Sequence, residues 1–207
     1  GMPFPRVKGQ AYEPSNHIPL AIRWPNGSNG RGRVVTDYVN FADLAPTFIE
    51  AAGVTQIGPI MQPITGRSLF DILRSPKSGR IIASRDHVLI GKERHDIGRP
   101  NNWGYPIRGS VKDDRLYLHN FKTDRWPAGH PTTGYLNCDG SPTKTTVLNQ
   151  RREGTYHFWN LNFGKRPQEE LFDLKQDVDC VKNLANSKSH ADLKKTLKDQ
   201  LFAELRE

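Results

Sequence analysis

The clearest periodicity in the chain lies at Phe41, Leu44, Ala45, Phe48, Ile49 and Ala52, which recur at the spacing of one helix face. Asn40 or Asp43 can cap the start, Pro46 fits only a first turn, and Gly53 suits the position just past the end. Before it, the apolar run Ile18 to Trp24, closed by Pro25-Asn26-Gly27, predicts a buried strand. After it, Leu69, Ile72 and Leu73 predict a short helix from Ser68 to Leu73. Beyond about residue 78 the pattern changes to strands. An apolar run at 87–91 is followed by Tyr105 to Val111 and Leu116 to Phe121, which flank the hairpin turn Lys112-Asp113-Asp114-Arg115. Residues 122–168 show little periodicity and read as a long loop of the kind that is functional or covered by a partner. Glu170 to Leu174 reads as a strand. Leu193, Leu197, Leu201 and Leu205 give a final helix from about Ser189 with one apolar face.

The pattern therefore predicts an α/β protein with two parts. Residues 1–77 are the end of a larger α/β domain, and residues 78–207 are a small antiparallel sheet packed on a C-terminal helix. Composition agrees with this. The 207 residues are 35% hydrophobic, with 18 Gly and 15 Pro, which is low in core-forming residues and rich in loop. Thirty basic against 22 acidic residues give +8, which favours polyanionic partners. Basic loops at 27–33, 92–99 and 151–152 support a polyanion-binding reading. Nucleic acid is disfavoured, because the basic residues are dispersed and no recognised motif is present. No run approaches the roughly 20 apolar residues of a membrane span, and the start has no basic region leading into an apolar stretch. Cys138 and Cys180 lack metal-type or Cys-x-x-Cys spacing and read as two plain thiols or one disulfide.

Candidate chemistry begins at Lys8. A lysine is a compact cation able to hold a sulfate oxygen, although by spacing alone Lys8 reads as a solvated surface residue. Lys8-Gly9-Gln10-Ala11-Tyr12-Glu13, Val39 to Thr47, Thr65-Gly66-Arg67-Ser68-Leu69, and Glu170 to Asp177 with Asn183-Leu184-Ala185 form four blocks in order along the chain. Together they resemble the C-terminal part of the formylglycine-dependent sulfatases, which have an alkaline-phosphatase-like fold. Lys92-Glu93-Arg94-His95, Tyr105-Pro106-Ile107-Arg108, His119-Asn120-Phe121 and Asp124 to Pro127 look like the heparan N-sulfatase (sulfamidase) branch. That resemblance implies hydrolysis of sulfate esters or N-sulfate groups of a heparin-like glycan, with Lys8 contacting sulfate and Arg94, His95 and Arg108 binding substrate. Other readings stay open: a surface histidine for His95, an internal ion pair for Arg108, and a loop anchor rather than a sugar platform for Trp126.

The resemblance also implies calcium and a formylglycine made from the Cys or Ser of a Cys/Ser-x-Pro-x-Arg motif. Neither cysteine fits that motif, and Ser75-Pro76 and Ser141-Pro142 place the proline one residue early. The calcium ligands are expected upstream of Gly1, and Asp177 and Asp179 read as local turn formers rather than ligands. The expectations are then a chain inactive alone, a periplasmic or exported parent, and a sulfated-glycan partner. The Ile18–Trp24 edge and the Phe41/Phe48/Ile49 face are expected to lack cover, favouring oligomers or segment swapping. A non-catalytic module binding sulfated glycan is the alternative.

Overall fold

A computed structural model describes residues 6–54, 58, 62–94 and 98–206. Its elements in order are α1 (Glu13–Asn16), α2 (Leu44–Ala51), α3 (Phe70–Arg74), β1 (His87–Lys92), β2 (Ile107–Lys112), β3 (Arg115–Asn120), α4 (Pro142–Arg152), α5 (His157–Asn162), β4 (Glu169–Asp173) and α6 (Ala191–Glu204). They fall into two compact units. One is Pro19–Val88, and in the other the residues up to Ile18 join those from Leu89 onward.

The larger unit is built on a four-stranded sheet in the order β1-β2-β3-β4. β2 and β3 pair antiparallel from Ile107 opposite Asn120 to Lys112 opposite Arg115. Asp113 and Asp114 both adopt positive φ, 47° and 57°. That is the geometry of a two-residue turn whose twist matches the strands, and short polar side chains tolerate it better than branched ones. β4 returns antiparallel on β3. Tyr117 and Leu171 from this sheet pack with Ala185, Leu197 and Leu201, and Leu193 lies half-buried beside them, so α6 turns three of the four predicted leucines to the sheet, while Leu205, just past the helix end, is exposed. Each fully buried leucine contributes about 1.5–3 kcal/mol.

A second core in the same unit gathers Ala128, Tyr135, Cys138, Val147, Trp159 and Phe163, with Trp126 and Leu148 against it. It corrects the expectation of a long loop over 122–168. Ser141 caps α4 by accepting from Lys144 N at 3.1 Å, and Pro142 occupies the first turn. The helix escaped the periodicity test because its buried positions are Lys144 and Val147. Lys144 Nζ donates to the carbonyls of Tyr135 and Cys138 at 3.1 and 2.7 Å, which replaces an apolar contact with a cation held by backbone oxygens.

In the smaller unit, Leu69, Ile72 and Leu73 form the core with Trp24, Val35, Val39, Leu44, Ile81 and Ile82 packed on it. Its polar centre is Asp43. Asn40 and Asp43 form a capping box ahead of α2. Asp43 also accepts from Arg67 N at 2.8 Å and from Arg85 Nη1 at 2.7 Å. Arg85 is 2% exposed and spends its other donors on the carbonyls of Arg67 and Ser68. The expected strand at 18–24 is not a strand here. The run makes no ladder, and Ile18, Leu20 and Ile22 are exposed. An apolar run becomes a strand only when another strand satisfies its backbone. Phe41 and Phe48 are likewise exposed, so the helix forms while most of its predicted face stays uncovered. Among the described residues, no helix is long and apolar enough to cross a membrane.

Candidate functional site

Lys92, the last residue of β1, organises the region around the sequence-predicted residues. Its Nζ donates to the carbonyl of Gly9 and, at 3.1 Å, to that of Pro127. The segment carrying Lys8 is thereby pinned to the end of β1, with Arg94 two residues beyond. Arg108 on neighbouring β2 closes the group, donating to the carbonyls of Lys92 at 3.2 Å and Ile107 at 2.9 Å and to Glu93 Oε2 at 2.9 Å.

Lys8 Nζ donates to Asp139 Oδ2 at 2.8 Å near the surface. That bond raises the lysine's pKa and lowers that of the Asp139 carboxyl to about 2, so both stay charged near neutral pH. Arg94 is exposed. His95 lies outside the described residues. Arg108 is in an ion pair with Glu93, the internal pairing that sequence left open. Trp126 packs on the aromatic core, with Lys165 Nζ 5.2 Å above its ring.

The surroundings are electropositive. Burial, with Arg99 and Arg166 nearby, pushes the Lys92 ammonium down to about 7, while its two carbonyl acceptors favour the charged form. Arg99 donates to the carbonyls of Trp126 and Pro127, both at 2.7 Å. Arg166 Nη2 donates to Gln10 Oε1 at 2.8 Å, and Gln10 Nε2 donates to the Asn162 carbonyl at 3.0 Å. Tyr12 OH donates to Glu170 at 2.9 Å, beneath Arg6, whose guanidinium lies 4.1 Å from the Tyr12 ring centroid. Such a lattice holds backbone and cations in place and leaves positive potential at the surface. Asp139, Lys92, Arg99 and Arg166 were not singled out as site residues from the sequence. Their roles depend on contacts across 27 to 156 residues, which no local pattern reports.

The residues present do not fit the metal or the nucleophile of the sulfatases. Among the described residues no group of three or more His, Cys, Asp or Glu could hold a metal ion. Asp177 accepts from the amides of Val181 and Lys182 at 2.9 and 2.7 Å and is a turn former. Cys138 and Cys180 are buried thiols not joined in a disulfide. Burial raises the pKa of Cys138 and pushes that of Cys180 up to about 12, which disfavours thiolate chemistry.

The family described as N-sulphoglucosamine sulphohydrolase, C-terminal, matches residues 7–87. N-sulphoglucosamine sulphohydrolase of Homo sapiens is 27% identical over 210 residues, covering 97% of this chain and 39% of that protein. An ulvan-active sulfatase of Formosa agariphila is 26% identical, covering 90% of this chain and 28% of its own length. The chain thus spans about two-fifths or less of these curated relatives. A solved structure of a protein in complex with its substrate D-glucosamine-2-N,6-O-disulfate matches at 19% identity and a TM-score of 0.45, covering 79% of this chain and 23% of that one. Sequence blocks, family match and curated relatives agree, and the chain resembles the C-terminal region of sulfatases, sulfamidase among them.

Proposed function

We propose that this region belongs to an exported sulfatase that hydrolyses sulfate esters or N-sulfate groups of a heparin-like glycan. Lys8 contacts the sulfate, and Arg94, His95 and Arg108 contact the sugar chain. Residues 1–77 are the C-terminal portion of a catalytic α/β domain, and residues 78–207 form an antiparallel sheet plus helix subdomain. The observation supporting this most directly is the Lys92 clamp, which sets the Lys8 segment against the β1 end that carries Arg94 and beside Arg108. A cation held at the surface by Asp139 is suited to an anionic oxygen, because a sulfate can exchange for that carboxylate at little cost in water.

Formylglycine and calcium would come from the rest of the protein, since the sequence lacks the Cys/Ser-x-Pro-x-Arg motif and no group of three or more His, Cys, Asp or Glu among the described residues could hold a metal ion. The 207 residues alone therefore bind and orient but do not turn over. Exposed Ile18, Leu20, Ile22, Phe41 and Phe48 support association of isolated chains through these uncovered faces. The test is titration of the isotope-labelled chain with an N-sulfated heparin disaccharide, alongside a sulfate-release assay. Shifts at Lys8, Arg94 and Arg108 that depend on sulfation, without sulfate release, are expected. Release of sulfate by purified chain would overturn the division of labour. Equal response to any polyanion would favour a non-catalytic binding module.

A further inference from the structure

We propose that a second cleft, between the Pro131–Tyr135 turn and the end of α4, is a subsite for an anionic sugar unit of the glycan. This rests on the reading of the chain as a glycan sulfatase region. The cleft has a volume of about 430 Å³ and is lined by Pro131, Tyr135, Leu148, Arg151, Arg152 and Tyr156, with Gly134 at its edge. That volume is within the range of small-ligand sites. Its lining holds two guanidinium groups and no carboxylate, so a bound anion meets no like charge among the lining side chains.

The groups are also held in place. Arg151 is half-buried, with its guanidinium 4.0 Å from the Trp159 ring centroid and Nη1 donating to Tyr135 Oη at 3.3 Å. Tyr135 stacks on Phe163 at 4.5 Å and 24°. Tyr156 meets Trp159 edge to face at 6.5 Å while remaining half exposed. An aromatic floor thus fixes one arginine, while Arg152 stands exposed with Nη1 donating to Asn149 Oδ1 at 2.8 Å. Planar guanidinium forks match the paired oxygens of a carboxylate or sulfate. The half-exposed Tyr156 ring, with Leu148 and Pro131, offers apolar surface to the C–H face of a pyranose, while buried Tyr135 serves as floor. Basic residues in a last helical turn also suit the helix dipole, but that effect accounts for neither the stacked Arg151 nor the half-exposed Tyr156.

Position strengthens the assignment. Tyr135 lines the cleft and Asp139 holds Lys8, and the four residue steps from one to the other span at most about 14 Å. A glycan of a few units bound at Lys8 can therefore reach the cleft. Arg151 and Arg152 would read a unit next to the one whose sulfate meets Lys8.

The experiment is a nitrogen-15 titration of the 207-residue chain with three probes: a sulfated heparin tetrasaccharide, its fully desulfated form that keeps the carboxylates, and neutral maltotetraose. The sulfated probe should shift Tyr135, Leu148, Arg151, Arg152 and Tyr156. Desulfation should weaken the response several-fold if sulfate is read, or leave it intact if the carboxylate is read. Maltotetraose should give no shift there. Arg152→Ala and Tyr156→Ala alter exposed side chains and should weaken binding at the cleft at least fivefold while the shifts at Lys8 persist. Shifts at Lys8 with a silent cleft would overturn the subsite and leave the proposed function standing. Silence at both places would overturn both. A neutral sugar binding as well as the sulfated one, or an oligonucleotide displacing the sugar at lower concentration, would overturn the ligand class.

Discussion

Replacing Glu169 by glutamine should cost the larger unit about 2–3 kcal/mol at pH 7. The Glu169 carboxylate sits at the first position of β4, where it accepts from Tyr117 Oη at 2.9 Å and pairs with Lys198 at 2.9 Å and Lys194 at 3.2 Å. One carboxylate thus fastens α6 to two strands. Burial works against its charge, yet Lys198, Tyr117 and Lys194 together bring its pKa from an ordinary 4.5 down to about 2. At about 1.4 kcal/mol per pKa unit, the drop corresponds to roughly 3.4 kcal/mol of preferential stabilisation of the anion. Its side chain is 21% exposed and both lysines reach water, so solvent screening trims that figure to the 2–3 kcal/mol stated. The sign follows from a lowered folded-state pKa. The stabilisation is complete above about pH 4.5 and is lost as pH falls through 2. Urea unfolding followed by tryptophan fluorescence, at intervals from pH 7 to pH 2, should show Glu169→Gln less stable at neutral pH and converging on the parent at the acid end. A variant within 0.5 kcal/mol of the parent at pH 7, or two pH curves running parallel, would refute the reasoning.

Lys92 carries the opposite signature. With a folded pKa near 7 against an ordinary 10.5, its charge opposes folding fully below about pH 7, and that cost lifts as pH climbs toward 10.5. Lys92→Met should abolish the stability gain between pH 7 and 9 seen by urea denaturation. Gly66→Ala would bring a methyl group to 2.0 Å from the Ala42 carbonyl oxygen, so the smaller unit should lose about 1–3 kcal/mol, measurable as faster proteolysis within 19–88. Arg85→Met strands Asp43 and should cost about 3–5 kcal/mol, read by the same digestion. Tyr12→Phe removes a donor from buried Glu170 and should cost about 1–3 kcal/mol in the melting of the larger unit, without changing heparin disaccharide shifts at Arg108.

What could be read from sequence separates by the range of the physics involved. The Asp113-Asp114 turn and the leucine face of α6 are local matters of backbone conformation and period; the turn forms where expected, and the face forms through Leu193, Leu197 and Leu201 but not Leu205. The Ile18–Trp24 run carries strand-like composition, but a strand also needs a neighbour, and the sequence of a run does not say whether one is present. α4 failed the reverse test, because a buried lysine held by carbonyls gives no apolar period. Its Ser141-Pro142 start and Gly154, at φ 92°, were the available signals. Lys8 entered only through resemblance, and Asp139, its partner, lies 131 residues away.

The blocks that carry the family resemblance turn out to be joined to one another. Thr47 Oγ1 donates to the Asp43 carbonyl at 2.6 Å and accepts from Leu69 N at 2.9 Å, while Asp43 accepts from Arg67 N and Gly66 abuts the Ala42 carbonyl. The Val39–Thr47 and Thr65–Leu69 blocks are therefore two halves of one clamp. Tyr12 likewise meets Glu170 and stacks edge-on against Phe172 at 5.8 Å, tying the opening block to the last one. Asn183 then accepts from Leu171 N and Ala185 N, both at 2.9 Å, and closes the return after β4. Several residues in these blocks, Tyr12, Asp43, Thr47, Glu170 and Asn183 among them, are thus explained by hydrogen bonds within the fold. Lys8 is different. Its partner is an exposed carboxylate whose loss would leave nothing buried unsatisfied, so packing does not require a lysine there. A position inside a structural block that is not needed by the structure is where a functional requirement is most economically placed. Lys8→Met should accordingly leave the melting temperature within about a degree of the parent, as expected for a surface ion pair, while weakening sulfated-disaccharide binding severalfold. A large loss of stability with unchanged binding would assign Lys8 to the scaffold instead.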